Sequence, residues 1–135
     1  MTTYESKIVS IRKRAEDVFR GLSDFRNFTP MVEGKLDEWQ ADKDTCSFKY
    51  KGMGPLGINI TEREEFKTIK LTGDEKTPMQ FFIWIQLKEV APYDTRMKIT
   101  VKVKLNTMLR MVVGNKIKDG IDSLAESIAM AFNTI

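Results

Sequence analysis

Apolar and polar residues alternate along the middle of the chain in the manner of β-strands. In residues 95–105 every second side chain is apolar, namely Met97, Ile99, Val101, Val103 and Leu105. This alternation predicts an antiparallel strand with one buried face. Further strands are predicted over residues 36–41, 45–51, 56–63, 66–72 and 80–90, with turn residues such as Gly52-Met53-Gly54-Pro55 between them.

The two ends of the chain carry helical periodicity. After a strand predicted over residues 3–12, apolar residues between 14 and 23 recur every three or four positions. Ser23-Asp24 is a suitable N-cap for a second short helix, which Pro30 should end or bend. Residues 107–133 predict one long helix of roughly 40 Å. Gly114 and Gly120 weaken it by about 1 kcal/mol each, so a bend or a close backbone contact is expected near them.

These elements predict an α+β fold in which a curved antiparallel sheet of six or seven strands wraps a long C-terminal helix. One helix does not fill the concavity of a long curled sheet, so either bulky side chains fill the remainder or a cavity persists. Strand parity and helical spacing assign the following candidates to this space: Phe48, Tyr50, Met53, Leu56, Ile58, Ile60, Ile83, Ile85, Met97, Ile99, Val101, Met108, Met111 and Val112. A ligand pocket and a packed core both fit this set.

The order strand, two short helices, six strands and a long helix resembles the START-like, or helix-grip, fold. Residues 15–28 look like the first helical segment of the SRPBCC superfamily, which includes polyketide cyclases and pollen allergens. Residues 45–57 and 84–88 resemble small Bacteroides-type proteins of that superfamily. The resemblance covers nearly the whole chain and implies one domain over residues 1–135. Members bind lipids, sterols, hormones or polyketides, some catalyse cyclisation or hydration, and others act on protein partners.

Composition removes several classes of site. The 135 residues include one cysteine, Cys46, and no histidine, which excludes an intramolecular disulfide, histidine-based nucleophilic catalysis and histidine-ligated zinc. Basic residues are interleaved with acidic ones, so no nucleic-acid surface is expected. The N-terminus resembles no signal peptide and no run is long enough to span a membrane, so a cytoplasmic protein without cofactor or metal is expected.

Three interpretations remain open. The first is a binding module for a small hydrophobic or amphipathic ligand of the lipid, polyketide or isoprenoid class. The second is a cyclase or hydratase in which Tyr50, Glu38 or Glu62 acts within the same pocket. The third is a protein-interaction domain with a filled core. Because Phe82 and Trp84 make a second apolar face on their strand, a homodimer through that face is also expected.

Overall fold

The strands follow the predicted segments closely. The computed structural model describes residues 1–50, 54–75, 77 and 79–134, with Tyr50 described by its backbone alone. The strands are β1 (Thr2–Glu5), β2 (Val9–Ile11), β3 (Asp37–Ala41), β4 (Thr45–Tyr50), β5 (Gly54–Glu64), β6 (Thr68–Gly73), β7 (Phe81–Ala91) and β8 (Asp94–Val103). Within the described residues they form one antiparallel sheet in the order β1-β8-β7-β6-β5-β4-β3, and β2 also pairs with β8.

The predicted first strand is interrupted at Ser6. Glu5 pairs with Thr100, and Val9 pairs with Met97. Between these two pairs, residues 6–8 of the edge strand face only residues 98–99 of β8. The Ser6 hydroxyl accepts the Ile99 N–H at 2.8 Å, which replaces the backbone acceptor that a regular ladder would supply. This extra residue is a β-bulge, and it divides the edge strand into β1 and β2. Since both lie beside β8, the sheet has seven positions, within the predicted number.

Three helical segments follow β2. They are α1 (Ala15–Leu22), a 3₁₀ turn at Phe25–Phe28, and α2 (Thr29–Val32). Asp24 caps the 3₁₀ turn as predicted, because its carboxylate accepts the Arg26 N–H at 2.9 Å. The side-chain hydrogen bonds from Arg26 also lower the pKa of Asp24 to about 2. Pro30 lies in the first turn of α2, where its missing N–H costs nothing, so the helical path continues to Val32.

The long helix α3 (Thr107–Asn133) has the predicted bounds and runs along the β1–β2 edge of the sheet. Its side chains bind backbone groups that the edge strand leaves unpaired. Asp122 accepts the Lys7 N–H at 2.7 Å, and Asn133 accepts the Arg12 N–H at 2.7 Å and donates to the Ser10 carbonyl at 3.1 Å. These contacts cover an edge that would otherwise be free to pair with another chain.

The two helical glycines differ in their surroundings. A Cβ at Gly114 would lie 2.9 Å from the hydroxyl of Tyr4 on β1, which confirms a close contact near this residue. Gly120 has open space around it. Together with the hydrogen bonds of Asp122 and Asn133, the Gly114 contact aligns α3 with β1 and β2 over most of the length of the helix.

Candidate functional site on the concave face

The strand register places the predicted inward residues on one face of the sheet. Cys46 lies opposite Ile58, Ile60 opposite Leu71, Leu71 opposite Ile83, and Ile83 opposite Val101. Phe48 pairs with Leu56 and Ile85 with Ile99. Strand parity read from the sequence therefore predicted this concave face correctly for β4, β5, β7 and β8.

One end of the concave face is closed. Helix α1 and the 3₁₀ turn lay their apolar side chains against it. These helical side chains and the inward side chains of the sheet form one buried cluster. Its members include Val18, Leu22 and Phe25 from the helical segments and Ile60, Ile69, Ile85, Met97 and Ile99 from the sheet. These helices therefore cover the concave face at this end, and the side chains of the cluster are buried.

The other end of the concave face is less covered. Phe48, Ile58 and Ile83 are half-buried there, as are Trp39 on β3 and Ile117 on α3. We call these five side chains the open end. Because α3 follows the β1–β2 edge, the strands far from that edge receive less cover, and apolar surface remains in contact with solvent. Leu56 and Val101, which were also predicted to line a pocket, are buried.

Trp39 is a member of the open end that parity did not predict. The ladder between β3 and β4 shifts register between Asp37 and Gln40, and Glu38 has a positive φ of 54°. This bulge reverses the alternation, so Trp39 shares the concave face with Ala41 and Cys46. The ring of Trp39 lies 6.1 Å from that of Phe48, and its Nε1 donates to the Thr29 hydroxyl at 3.0 Å.

Three helix residues were expected to face the interior, and this expectation is wrong. Met108, Met111 and Val112 are exposed, as is every residue of α3 from Thr107 to Val112. At about 100° per residue, Met108 is half a turn out of phase with Ile117, whereas Met111 lies five whole turns from the buried Ala129 and shares its side of the helix. The first turns are therefore exposed because they extend beyond the cover of the sheet.

The side chains of two residues that were predicted to line the pocket are not described. Met53 lies outside the described residues, and only the backbone of Tyr50 is described, in the ladder opposite Gly54. A ligand role for either residue stays a prediction.

The carboxylates considered for acid–base chemistry are exposed. Glu38 lies 3.2 Å from the Lys49 ammonium and Glu62 lies 3.9 Å from that of Lys70. Over the part of the chain that the structure describes, every buried side-chain nitrogen or oxygen has a hydrogen-bond partner, and no group of three metal-ligating side chains occurs. These residues therefore offer apolar surface at the open end and no buried carboxylate.

Cys46 lies on the concave face with its thiol buried. Burial raises the pKa of this thiol to about 12 from an ordinary value of 9.0. Because the folded pKa is the higher one, the stabilisation is complete below pH 9.0 and is lost as the pH rises toward 12.

We expect native Cys46 to react with a disulfide reagent such as 5,5′-dithiobis(2-nitrobenzoate) at pH 8 far more slowly than glutathione does, because its thiolate is scarce and inaccessible. In denaturing urea the same thiol should react completely. Absorbance of the released thiolate measures both rates, with Cys46→Ser as the blank. Equal rates for the folded protein and glutathione would contradict the buried placement.

Two grooves lie away from the open end, and none of its five residues lines either of them. The larger, about 730 Å³, is open and lies between the start of α1, the β5–β6 turn and the end of β7. Two of its four carboxylates have close partners: Glu89 accepts the Ala15 N–H at 2.9 Å, and Glu16 pairs with Arg20 at 2.6 Å. The smaller, about 290 Å³, runs beside β7 and β8 and includes Met97 of the predicted set.

The second face of β7 carries the two aromatic rings for which a homodimer was predicted. Phe82 and Trp84 are half-buried, with ring centroids 6.0 Å apart. The Lys70 ammonium lies 5.2 Å from the Phe82 ring and the Lys102 ammonium 5.6 Å from the Trp84 ring. These lysines cover part of the apolar surface by cation–π contact. The homodimer stays a prediction, and it would have to take both lysine charges into its interface.

Comparison with known proteins identifies the architecture. No family model matches the sequence, and no curated protein matches it. Among solved structures, a START superfamily protein from Mycobacterium smegmatis is similar with a TM-score of 0.69 and 13% identity, covering 98% of this chain and 97% of that one. The chain has the START-like, helix-grip fold.

Two further structures share this helix-grip architecture. A norcoclaurine synthase point mutant from Thalictrum flavum, solved with a transition-state analogue, has a TM-score of 0.70 and 12% identity over 98% of this chain and 96% of its own. The Aha1 dimer from Colwellia psychrerythraea has a TM-score of 0.57 and 17% identity over 90% and 97%. At such identities the similarity establishes the fold and assigns no activity.

A search of the described helices for a membrane span found none that is both long and apolar enough.

Proposed function

We propose that this protein binds a small apolar or amphipathic molecule between α3 and the concave face of the sheet. The observation that carries the proposal is the open end: Phe48, Ile58 and Ile83 face inward yet remain half-exposed. Apolar side chains on an inward face gain free energy when water is removed, at about 25 cal/mol for each Å² buried. A ligand that covers the open end would supply that gain.

The chemistry of the open end indicates which ligands fit. Its described side chains are aliphatic or aromatic, and the Trp39 N–H already donates to Thr29. A ligand would therefore be held by shape and apolar contact, with its polar groups directed to solvent. Flat or extended hydrocarbon skeletons of the lipid, polyketide or isoprenoid class meet this requirement.

The fold supports the same proposal. A helix-grip protein solved with a transition-state analogue, the norcoclaurine synthase mutant, holds a small organic molecule. For this chain, the exposed and lysine-paired positions of Glu38 and Glu62 favour binding over acid–base catalysis. We therefore place the binding module ahead of the enzyme.

Native mass spectrometry of the protein purified from its own host tests the proposal directly. We expect an adduct with the mass of one lipid-sized molecule, which organic extraction removes. The extracted protein should then increase the fluorescence of 1-anilinonaphthalene-8-sulfonate, and the extracted molecule should displace this dye. Absence of both an adduct and a dye response would overturn the proposal.

A further inference from the structure

The first two turns of α3 expose a cluster of large apolar side chains. Met108 is 76% exposed, Leu109 43%, Met111 83% and Val112 60%. We call these four residues the α3 apolar patch. The patch extends over about 160° of the helix circumference at about 100° per residue, in two turns where every residue from Thr107 to Val112 is exposed. An exposed apolar cluster of this kind indicates an interaction surface.

The chain segment that carries the α3 apolar patch has basic residues and no acidic ones. Between Lys104 and Lys118 the chain contains no aspartate or glutamate, whereas Lys104, Arg110 and Lys116 are all exposed. An apolar helix turn flanked by basic residues is complementary to a surface that is apolar beneath and anionic above. The patch is also close to an end of the sheet, because β8 ends at Val103 and α3 begins at Thr107.

A second copy of the chain fits the α3 apolar patch less well. A symmetric contact would bring Lys104 and Lys116 of one copy toward the same residues of the other, with no acidic residue in the segment to compensate. Four side chains are also few beside the roughly 20–30 residues per side that a stable protein interface uses.

We propose that the α3 apolar patch docks on the surface of an anionic lipid bilayer, with Met108, Met111 and Val112 inserted among the headgroups and Lys104 and Lys116 near the phosphates. Lys and Arg gain from the negative surface potential of such a bilayer, and the gain falls with salt. The docking goes beyond the proposed ligand binding and does not depend on it, because none of the four exposed patch residues belongs to the open end.

Co-sedimentation with vesicles tests the docking. One set contains phosphatidylcholine alone, and the other contains roughly one third phosphatidylglycerol, so that only the second set presents an anionic surface. We expect the full chain to sediment with the anionic vesicles and to be released by salt. Met111→Asp should lower the vesicle partition coefficient about tenfold or more, because it places a carboxylate in the inserted surface.

Two further variants make the result specific. Met130→Asp alters a methionine on the same helix that is 70% exposed but lies more than four turns from the patch, and it should change partitioning by less than about twofold. Met108→Asp should act like Met111→Asp while favouring the helix, since an acidic residue is stabilising in the first turn.

Three outcomes would overturn the docking proposal. They are no sedimentation with anionic vesicles, equal effects of Met111→Asp and Met130→Asp, and a dimer in analytical ultracentrifugation that Met111→Asp dissociates. Binding of 1-anilinonaphthalene-8-sulfonate at the open end is measured without vesicles, so failure of the docking leaves the proposed ligand binding separately tested.

Discussion

Replacing Ile58 by tryptophan is expected to reduce binding of 1-anilinonaphthalene-8-sulfonate by about a hundredfold, equivalent to roughly 3 kcal/mol. Ile58 is half-buried on the concave face, between Cys46 on β4 and Gly73 on β6. An indole ring there would occupy the space that a ligand needs. Because aromatic residues suit strands and the position is not closed, the fold should accept the substitution. Fluorescence titration measures the loss.

Ile8→Trp is the matched control for this substitution. Ile8 is 64% exposed between β1 and β2, so the same exchange there should leave dye binding unchanged. Circular dichroism of both variants checks that the sheet and α3 persist. Unchanged dye affinity in folded Ile58→Trp would exclude the open end as the ligand site, and an equal loss in Ile8→Trp would mean that the dye reports on the fold as a whole.

The sequence predicted the strands well because one face of the sheet is continuously buried. The alternation of Met97, Ile99 and Val101 specifies both the strand and its inward face, since a shift of one residue would expose all three. The same reasoning failed where the backbone leaves the regular ladder. At Glu38 a residue with positive φ shifts the register, so the inward positions are Trp39 and Ala41 instead of Glu38. The alternation of apolar Trp39 and Ala41 with polar neighbours was the signal that could have indicated this face.

Helix α3 illustrates a second limit of sequence patterns. Its bounds were predicted from helical periodicity, and the structure shows Asn106 as the N-cap, since its side chain accepts the Leu109 N–H at 2.8 Å. The orientation of α3 was not predicted, because apolar residues occur on both sides of its first turns. Periodicity alone does not distinguish apolar residues that pack on the sheet from those that form an exposed patch, as Met108 and Met111 do.

The sequence also did not predict where α3 lies on the sheet. This position depends on contacts between residues far apart in the chain, such as Asp122 with Lys7 and Asn133 with Ser10 and Arg12. The hydrogen bond from the Lys7 N–H lowers the pKa of Asp122, so this anchor stays ionised to lower pH than an isolated aspartate. Because these contacts hold α3 along the edge, they decide which end of the concave face is left open.

Replacing Ile128 by alanine is expected to lower the free energy of unfolding by about 2–5 kcal/mol. Ile128 is 0% exposed on the sheet-facing side of α3 and belongs to the buried cluster. Truncation loses its apolar burial and leaves a cavity, because Ala125 and Ala129 beside it are too small to fill the space. Since a domain of this kind has about 5–15 kcal/mol in total, this loss is a large fraction of its stability.

Urea unfolding measures the loss, with a slope that should match the unmodified chain if the unfolded surface is unchanged. Met130→Ala is the control, because Met130 lies on the outer side of the same helix and should cost no more than about 0.5 kcal/mol. Equal losses in the two variants would contradict the assigned helix orientation. A large loss confined to Ile128→Ala would establish that Ile128 packs on the sheet while Met130 faces solvent.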